Sequence, residues 1–207
     1  MKQVPIIGID FDNTMLCYDH LFIENALDLD LISPKNYKSK KELRDEIRLL
    51  PDGDVRWQKI QGFVYSRGII RAHAFDGVRN FLSTCVRLSV KVHVVSHKTE
   101  YAAYDESKTN LRQAALDWMT ANYFFDADTP VLAKEQVHFE STRLKKIERL
   151  RFLGCTHFID DLEEVFYEAD FPQNVEKILF SPQGDSGRSA DMRVFESWDK
   201  IHEYFFN

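Results

Sequence analysis

Asp10 and Asp12, one residue apart, close the apolar run Ile6-Ile7-Gly8-Ile9 and are followed by Asn13-Thr14. A second acidic pair, Asp160-Asp161, ends the apolar stretch Thr156 to Ile159, and Ser96 follows the run Val90 to Val95. If these groups share one pocket, the carboxylates repel one another by about 4 kcal/mol per close pair at an effective dielectric near 20, so a cation must join them. Oxygen donors without Cys or His favour a hard divalent ion. Mg2+, which keeps several waters and accepts a phosphate oxygen, fits Asp10, Asp12, Asp160 and Asp161 best. Metal and acids together suggest phosphoryl transfer. Asp10 is then the nucleophile, attacking phosphorus to leave an aspartyl phosphate that water hydrolyses. Asp12 moves the proton, to the leaving oxygen first and from water second, a role usually worth about 10²- to 10⁴-fold.

These residues lie far apart in sequence, so the fold must bring them together. The run before Asp10 reads as a central strand of a parallel sheet, whose C-terminal end is where α/β proteins place ligands. From Phe75 onward, helices and strands alternate. Helices are expected from Asp76-Gly77-Val78 to about Arg87, from about Ser107 to Ala121 and from Thr142 to Phe152. The strands between and after them are Val90 to Val95, Val137 to Phe139, Thr156 to Ile159 and Lys177 to Phe180. Pro182 to Ser189 is a Gly/Ser-rich loop, and a closing helix runs from Ser197 to about Tyr204. This alternation predicts a doubly wound, Rossmann-like parallel sheet with right-handed crossovers, which lines up the strand ends along one edge. Residues 17–74 differ, with helical patterns and no strand-like run. Ser39-Lys40-Lys41-Glu42 is a capping-box pattern opening a helix to about Leu50, Pro51 to Asp54 makes a turn, and a second helix runs from Val55 to Arg67 with Gly68 beyond it. The division is therefore a core of 1–16 and 75–207 carrying a small helical insertion at 17–74.

Composition narrows the function. The 207 residues are 44% hydrophobic and 29% charged, as expected of a soluble globular chain, with no apolar run long enough to cross a bilayer. Asp10 interrupts the opening run before it can serve as a signal-peptide core, so a cytoplasmic location is expected. A net charge of -6 without a basic block argues against nucleic acid as a partner. Cys17, Cys85 and Cys155 are widely spaced and form no CxxC or Cys/His cluster, which argues for reduced packing residues rather than disulfides or zinc. The expected partner is a small phosphorylated molecule.

Asp10-Phe11-Asp12-Asn13-Thr14 after an apolar strand resembles the DxDxT motif of the haloacid dehalogenase superfamily of phosphohydrolases. Val94-Val95-Ser96 is similar to that family's second motif and Phe158-Ile159-Asp160-Asp161 to its fourth. The resemblance implies that Ser96 holds a phosphate oxygen, that the backbone carbonyl of Asp12 ligates the metal, and that Asp160 is a direct ligand. It also implies a lysine ahead of the last acidic strand, which points to Lys146 with Lys145 as rival. Residues 17–74 occupy the place of the family's helical cap. Because halide departure needs no proton donor, Asp12 favours a phosphate ester over a carbon–halogen bond.

Several residues carry two readings. Asp161 is either a helix N-cap or a metal-binding group, or both. Trp57, Phe63 and Tyr65 stack on a substrate ring or, as is commoner for such residues, fill a core. Arg67, Arg71 and His73 are hinge charges or anion contacts, and His97 and Lys98 line the pocket mouth or stand in solvent. The aromatics from Trp198 to Phe206 seal an edge of the sheet. Two rival functions remain: a phosphotransferase or mutase with the same intermediate, and a non-catalytic phospho-Asp signalling or protein-binding module.

Overall fold

The structure, a computed structural model, describes residues 4–35, 37, 40–105, 107–184 and 191–207. In chain order it opens with strands β1 (Ile6–Ile9) and β2 (Leu16–Cys17), then helices α1 (Asp19–Asp28), α2 (Lys40–Arg48) and α3 (Gly53–Tyr65). Strand β3 (His73–Ala74), helix α4 (Val78–Arg87), strand β4 (Lys91–His97), helix α5 (Leu111–Ala121), strand β5 (Val137–Glu140) and helix α6 (Arg143–Phe152) follow. The chain closes with β6 (His157–Asp160), the short helix α7 (Glu163–Phe166), β7 (Glu176–Phe180), β8 (Arg193–Phe195) and α8 (Trp198–Phe206).

Six strands form one sheet in the order β5-β4-β1-β6-β7-β8, and every pairing in it is parallel. This is the expected α/β, Rossmann-like architecture. β1 lies inside the sheet and is covered on both faces, which is why its sequence is a run of apolar residues rather than an alternation. Its register positions the chemistry. Ile9 pairs with Val94 on one side and Ile159 on the other, and the Asp10 amide donates to the Ile159 carbonyl at 2.8 Å. Asp10 is thereby held level with the acidic end of β6 and beside the end of β4.

Most differences from the sequence reading have a local cause. β4 continues through Ser96 to His97 because β5 pairs with both, Ser96 opposite Phe139 and His97 opposite Glu140. β8, three residues at the sheet edge, was too short to show a period. α7 spans only four residues, and its N-cap is Leu162 with no side-chain cap, which removes the N-cap reading of Asp161. Ser39 of the expected capping box and residues 185–189 of the expected loop lie outside the described residues.

Between the two-stranded antiparallel pair β2–β3 the chain makes the helices α1, α2 and α3. Trp57 of α3 stacks on Phe22 of α1 with ring centroids 5.1 Å apart, so the core reading of Trp57 holds. At the other end of the chain, Trp198 is fully buried against Phe81 and Phe180. Its indole N–H donates to the Thr14 carbonyl at 2.9 Å, so the closing helix also braces the loop after β1.

Among the described residues, no helix is long and apolar enough to cross a membrane. A Cβ at Gly8 would meet Leu150 Cδ2 at 2.8 Å and Phe158 Cδ2 at 2.9 Å. Gly8→Val should therefore lower unfolding stability by about 1–3 kcal/mol through overpacking. Urea unfolding measures this, and an unchanged midpoint would show that the core beside β1 is loosely packed.

Candidate active site

Helix α6 is capped by Thr142, whose hydroxyl accepts from the Lys145 amide at 3.2 Å. That start fixes the helix face: Lys146, Ile147 and Leu150 turn inward, and Lys145 stands exposed. Of the two rival lysines, Lys146 is the one that reaches the acids. Its ammonium donates to Asp10 Oδ1 and to Asp160 Oδ2, both at 2.6 Å, and its side chain is 2% exposed. Burial opposes charge on Lys146, but Asp10 and Asp160 outweigh it and hold the ammonium above its ordinary range.

The other acids are fixed by the loops around this pair. Asp160 Oδ1 accepts from the Leu162 amide at 2.9 Å. Thr14 and Asp161 bind reciprocally: the Thr14 hydroxyl donates to Asp161 Oδ1 at 3.3 Å and accepts from the Asp161 amide at 3.1 Å. One carboxylate oxygen each from Asp10, Asp160 and Asp161 lies within 4.8 Å of the others. The Asp12 carboxylate stands apart from that group. Its Oδ1 accepts from the Tyr18 hydroxyl at 2.7 Å, and Lys98 Nζ donates to its two oxygens at 3.0 and 2.8 Å.

Ser96 is buried and lines a cavity of about 590 Å³ with Asp10, Asp12, Lys98, Lys146 and Asp161. Tyr65, Gln58, Gln61 and Lys40 close the opposite side from the inserted helices. The six residues singled out from sequence, Asp10, Asp12, Ser96, Lys146, Asp160 and Asp161, thus meet at one sheet edge, although Asp160 is sealed beneath it. Lys98 neither stands in solvent nor stops at the pocket mouth. It lies deeper, 4% exposed, and the alternation of a strand, which puts residues two apart on one side, was a signal for it after Ser96. Tyr18 and Lys40 left no such signal. His97 lines the cavity mouth with much of its surface open to solvent, lies 3.1 Å from the Ser141 carbonyl and has its pKa lowered by partial desolvation of the ring. Tyr65 packs edge-on against Tyr18 at 5.1 Å, as the core reading expects, and its hydroxyl accepts from Lys40 at 2.6 Å. Phe63 packs against the core, Arg71 pairs with Glu24 at 2.5 Å, and neither Arg67, Arg71 nor His73 lines the cavity.

Four carboxylates here meet three ammonium groups, Lys146, Lys98 and Lys40, while Arg48, which also lines the cavity, is paired with Asp54. Lys40 is drawn in by Tyr65, Asp161 and Asp12, which overcome the opposing effect of burial and raise its pKa. Burial and mutual repulsion show in the acids. Burial raises Asp10 to about 7, with Asp160 and Asp12 adding to it and Lys146 opposing. Burial, followed by Asp160 and Asp10, pushes Asp161 well above the ordinary carboxylate range. Three hard oxygen donors that cannot all ionise together fit a divalent cation such as Mg2+, which would displace the retained proton.

No protein-family model matches the sequence, and neither does any curated protein. Solved structures do match in shape over nearly the whole chain. A haloacid dehalogenase-like family hydrolase from Streptococcus pneumoniae has a TM-score of 0.63 at 14% identity, covering 99% of this chain and 100% of its own. A protein from Bacillus subtilis assigned as a HAD-hydrolase and bound to magnesium gives 0.62 at 10% identity, covering 100% of both chains. A predicted phosphoglycolate phosphatase from Haemophilus somnus gives 0.58 at 13% identity, covering 99% of each. The fold of this chain is the haloacid dehalogenase-like fold.

The raised Asp10 has a consequence for stability. Between its ordinary value of 3.8 and about 7 the folded protein holds a proton that the unfolded chain has lost. Metal-free stability should therefore fall as pH rises through that window. Lys146, being raised, contributes fully below its ordinary 10.5 and leaves the window unaffected. Urea unfolding in chelator from pH 4.5 to 7.5 should show the decline, with a smaller decline in Asp10→Asn. Parallel curves would mean that Asp10 is ionised throughout.

Proposed function

We propose that this chain, with its haloacid dehalogenase-like fold, is a Mg2+-dependent phosphatase that hydrolyses a small phosphorylated metabolite through an aspartyl phosphate on Asp10. The observation that supports this most is the buried Lys146, which ties Asp10 to Asp160 at 2.6 Å each inside a cluster one positive charge short. Asp10, Asp160 and Asp161 would hold the ion. When bound, it neutralises charge on the transferring phosphoryl group.

The chain's own residues divide the remaining work. Lys146 engages Asp10 Oδ1, leaving Oδ2 to attack phosphorus. The new bond forms from Oδ2 to phosphorus as the ester P–O bond breaks, and the proton needed by the leaving oxygen comes from Asp12, which must take up a proton from solvent before this step. Lys98 and Tyr18 hold the Asp12 carboxyl in place, and Lys98 compensates the charge left on it. Asp12 then takes a proton from the water that attacks the aspartyl phosphate, releasing inorganic phosphate and restoring both acids. Ser96, buried beside Asp10, is placed to donate its hydroxyl to a phosphoryl oxygen.

The inserted helices give this reading a substrate preference. Lys40, Arg44 and Arg48 repeat every four residues on α2, one face of the helix, and with Lys41 they line a cavity shared with Asn13 and the acids Asp19, Asp161, Glu163 and Glu164. Arg44 is paired with Asp45 and Arg48 with Asp54, each at 2.8 Å. Such a wall suits a substrate with a second anionic group. Phosphoglycolate, in the name of the Haemophilus somnus protein, is a compound of that kind.

A phosphate-release screen over carboxylated phosphates, sugar phosphates and nucleotides, with Mg2+ or chelator, tests the proposal. Release should require the metal and vanish in Asp10→Asn, and Arg44→Gln should raise KM about tenfold for substrates with a second anionic group while leaving simple monoesters unchanged. Undiminished hydrolysis by Asp10→Asn would falsify the nucleophile assignment. Transfer of the phosphoryl group to another acceptor, with no free phosphate, would favour the phosphotransferase reading.

A further inference from the structure

A second group of ligating atoms lies away from the aspartates, where the chain leaves the sheet and returns to it. In the β2–β3 pair, Cys17 stands directly opposite His73, a relation that brings side chains to the same face about 5 Å apart. His20, from the first turn of α1, joins them. One ligand atom from each of Cys17, His20 and His73 lies within 4.8 Å of the other two, and the two imidazole rings are 4.9 Å apart.

The state of His20 makes this more than proximity. Its Nε2 lies 3.4 Å from the Arg71 carbonyl oxygen, an acceptor that favours the tautomer with the ring proton on Nε2. Nδ1 then presents a lone pair. That atom is buried and has no hydrogen-bond partner, which is unfavourable for an acceptor removed from water. An imidazole anchored through one N–H to a backbone carbonyl, with its other nitrogen free, is how proteins orient metal-binding histidines.

We propose that Cys17, His20 and His73 form a site for a thiophilic divalent ion of the zinc class. One sulfur and two imidazole nitrogens suit such an ion and leave a fourth tetrahedral position for water. Ligands at zinc bond lengths of about 2.0–2.3 Å sit roughly 3.3–3.8 Å apart, so the three side chains need close by no more than about 1.5 Å on binding. The Cys17 thiol, raised by burial, gives up its proton to solvent as the sulfur–metal bond forms, so binding releases one proton per ion. The hard-oxygen cluster at Asp10, Asp160 and Asp161 prefers a different ion, and the two sites can be told apart by chemistry. Because Cys17 and His73 belong to the two strands joining the inserted helices to the sheet, an ion here ties both connections together.

Cobalt(II) is the probe, added to the full chain in millimolar Mg2+ so that the aspartates are occupied. One equivalent should bind with intense tetrahedral absorption and a thiolate-to-cobalt charge-transfer band, and zinc should displace it. Cys17→Ser should abolish the charge-transfer band. His73→Ala, an exposed position whose loss leaves the core intact, should weaken cobalt binding at least tenfold, so the test survives a Cys17 variant that fails to fold. A titration without the thiolate band, or one left unchanged by both His73→Ala and His20→Ala, overturns the proposal.

Discussion

Lys146 stays charged in its buried position because Asp10 and Asp160 hold it there, and those two acids in turn tolerate each other because it lies between them. An isolated charge removed from water is unfavourable by far more than a single hydrogen bond recovers, so the three groups must stay together or all be lost. That requirement reaches outward. It fixes which face α6 turns to the sheet, and it requires β6 to end level with β1 so that the Lys146 ammonium can reach both carboxylates at 2.6 Å. The rest of the site extends this neutralisation: Lys98 against Asp12, Thr14 against Asp161, and Trp198 bracing Thr14 from the far end of the chain.

Neutralisation stops one charge short, and this links the fold to the proposed chemistry. A site balanced by protein groups alone would have little use for a metal ion, whereas one with a large excess of acid would not fold. Here burial raises Asp10 to about 7, so in the proposed reaction a cation would have to displace its proton before Asp10 could attack. The inserted helices add to the same field. Lys40 closes the cavity over Asp161 and Asp12 and hydrogen-bonds Tyr65, which packs on the Tyr18 that orients Asp12. The two halves of the molecule are therefore joined electrostatically at the place where substrate would lie.

Much of this was legible in the sequence because buried strands and strand ends have strong signatures. A run such as Ile6 to Ile9 needs both faces covered, and the acids after it and after β6 had few structural reasons to be there. Lys146 was legible only by resemblance, since a lysine on a helix is ordinarily solvated. What stayed hidden depends on contacts between distant segments. The depth of Lys98, the Tyr18 hydroxyl on Asp12 and the entry of Lys40 are set by how α1 to α3 fold back over the sheet, which no local period records. The sequence reading of Cys17 as a packing residue outside any Cys/His cluster does not hold: Cys17 lies with His20 and His73, a grouping made by two-residue strands too short to announce themselves.

The most direct test of the central claim is a calorimetric Mg2+ titration in two buffers of different ionisation enthalpy, which counts both bound ions and released protons. The account predicts one Mg2+ per chain at the aspartates, with proton release below about pH 7 that fades at higher pH, and loss of that binding in Asp160→Asn. Binding that releases no proton, or that Asp160→Asn leaves unchanged, would contradict it.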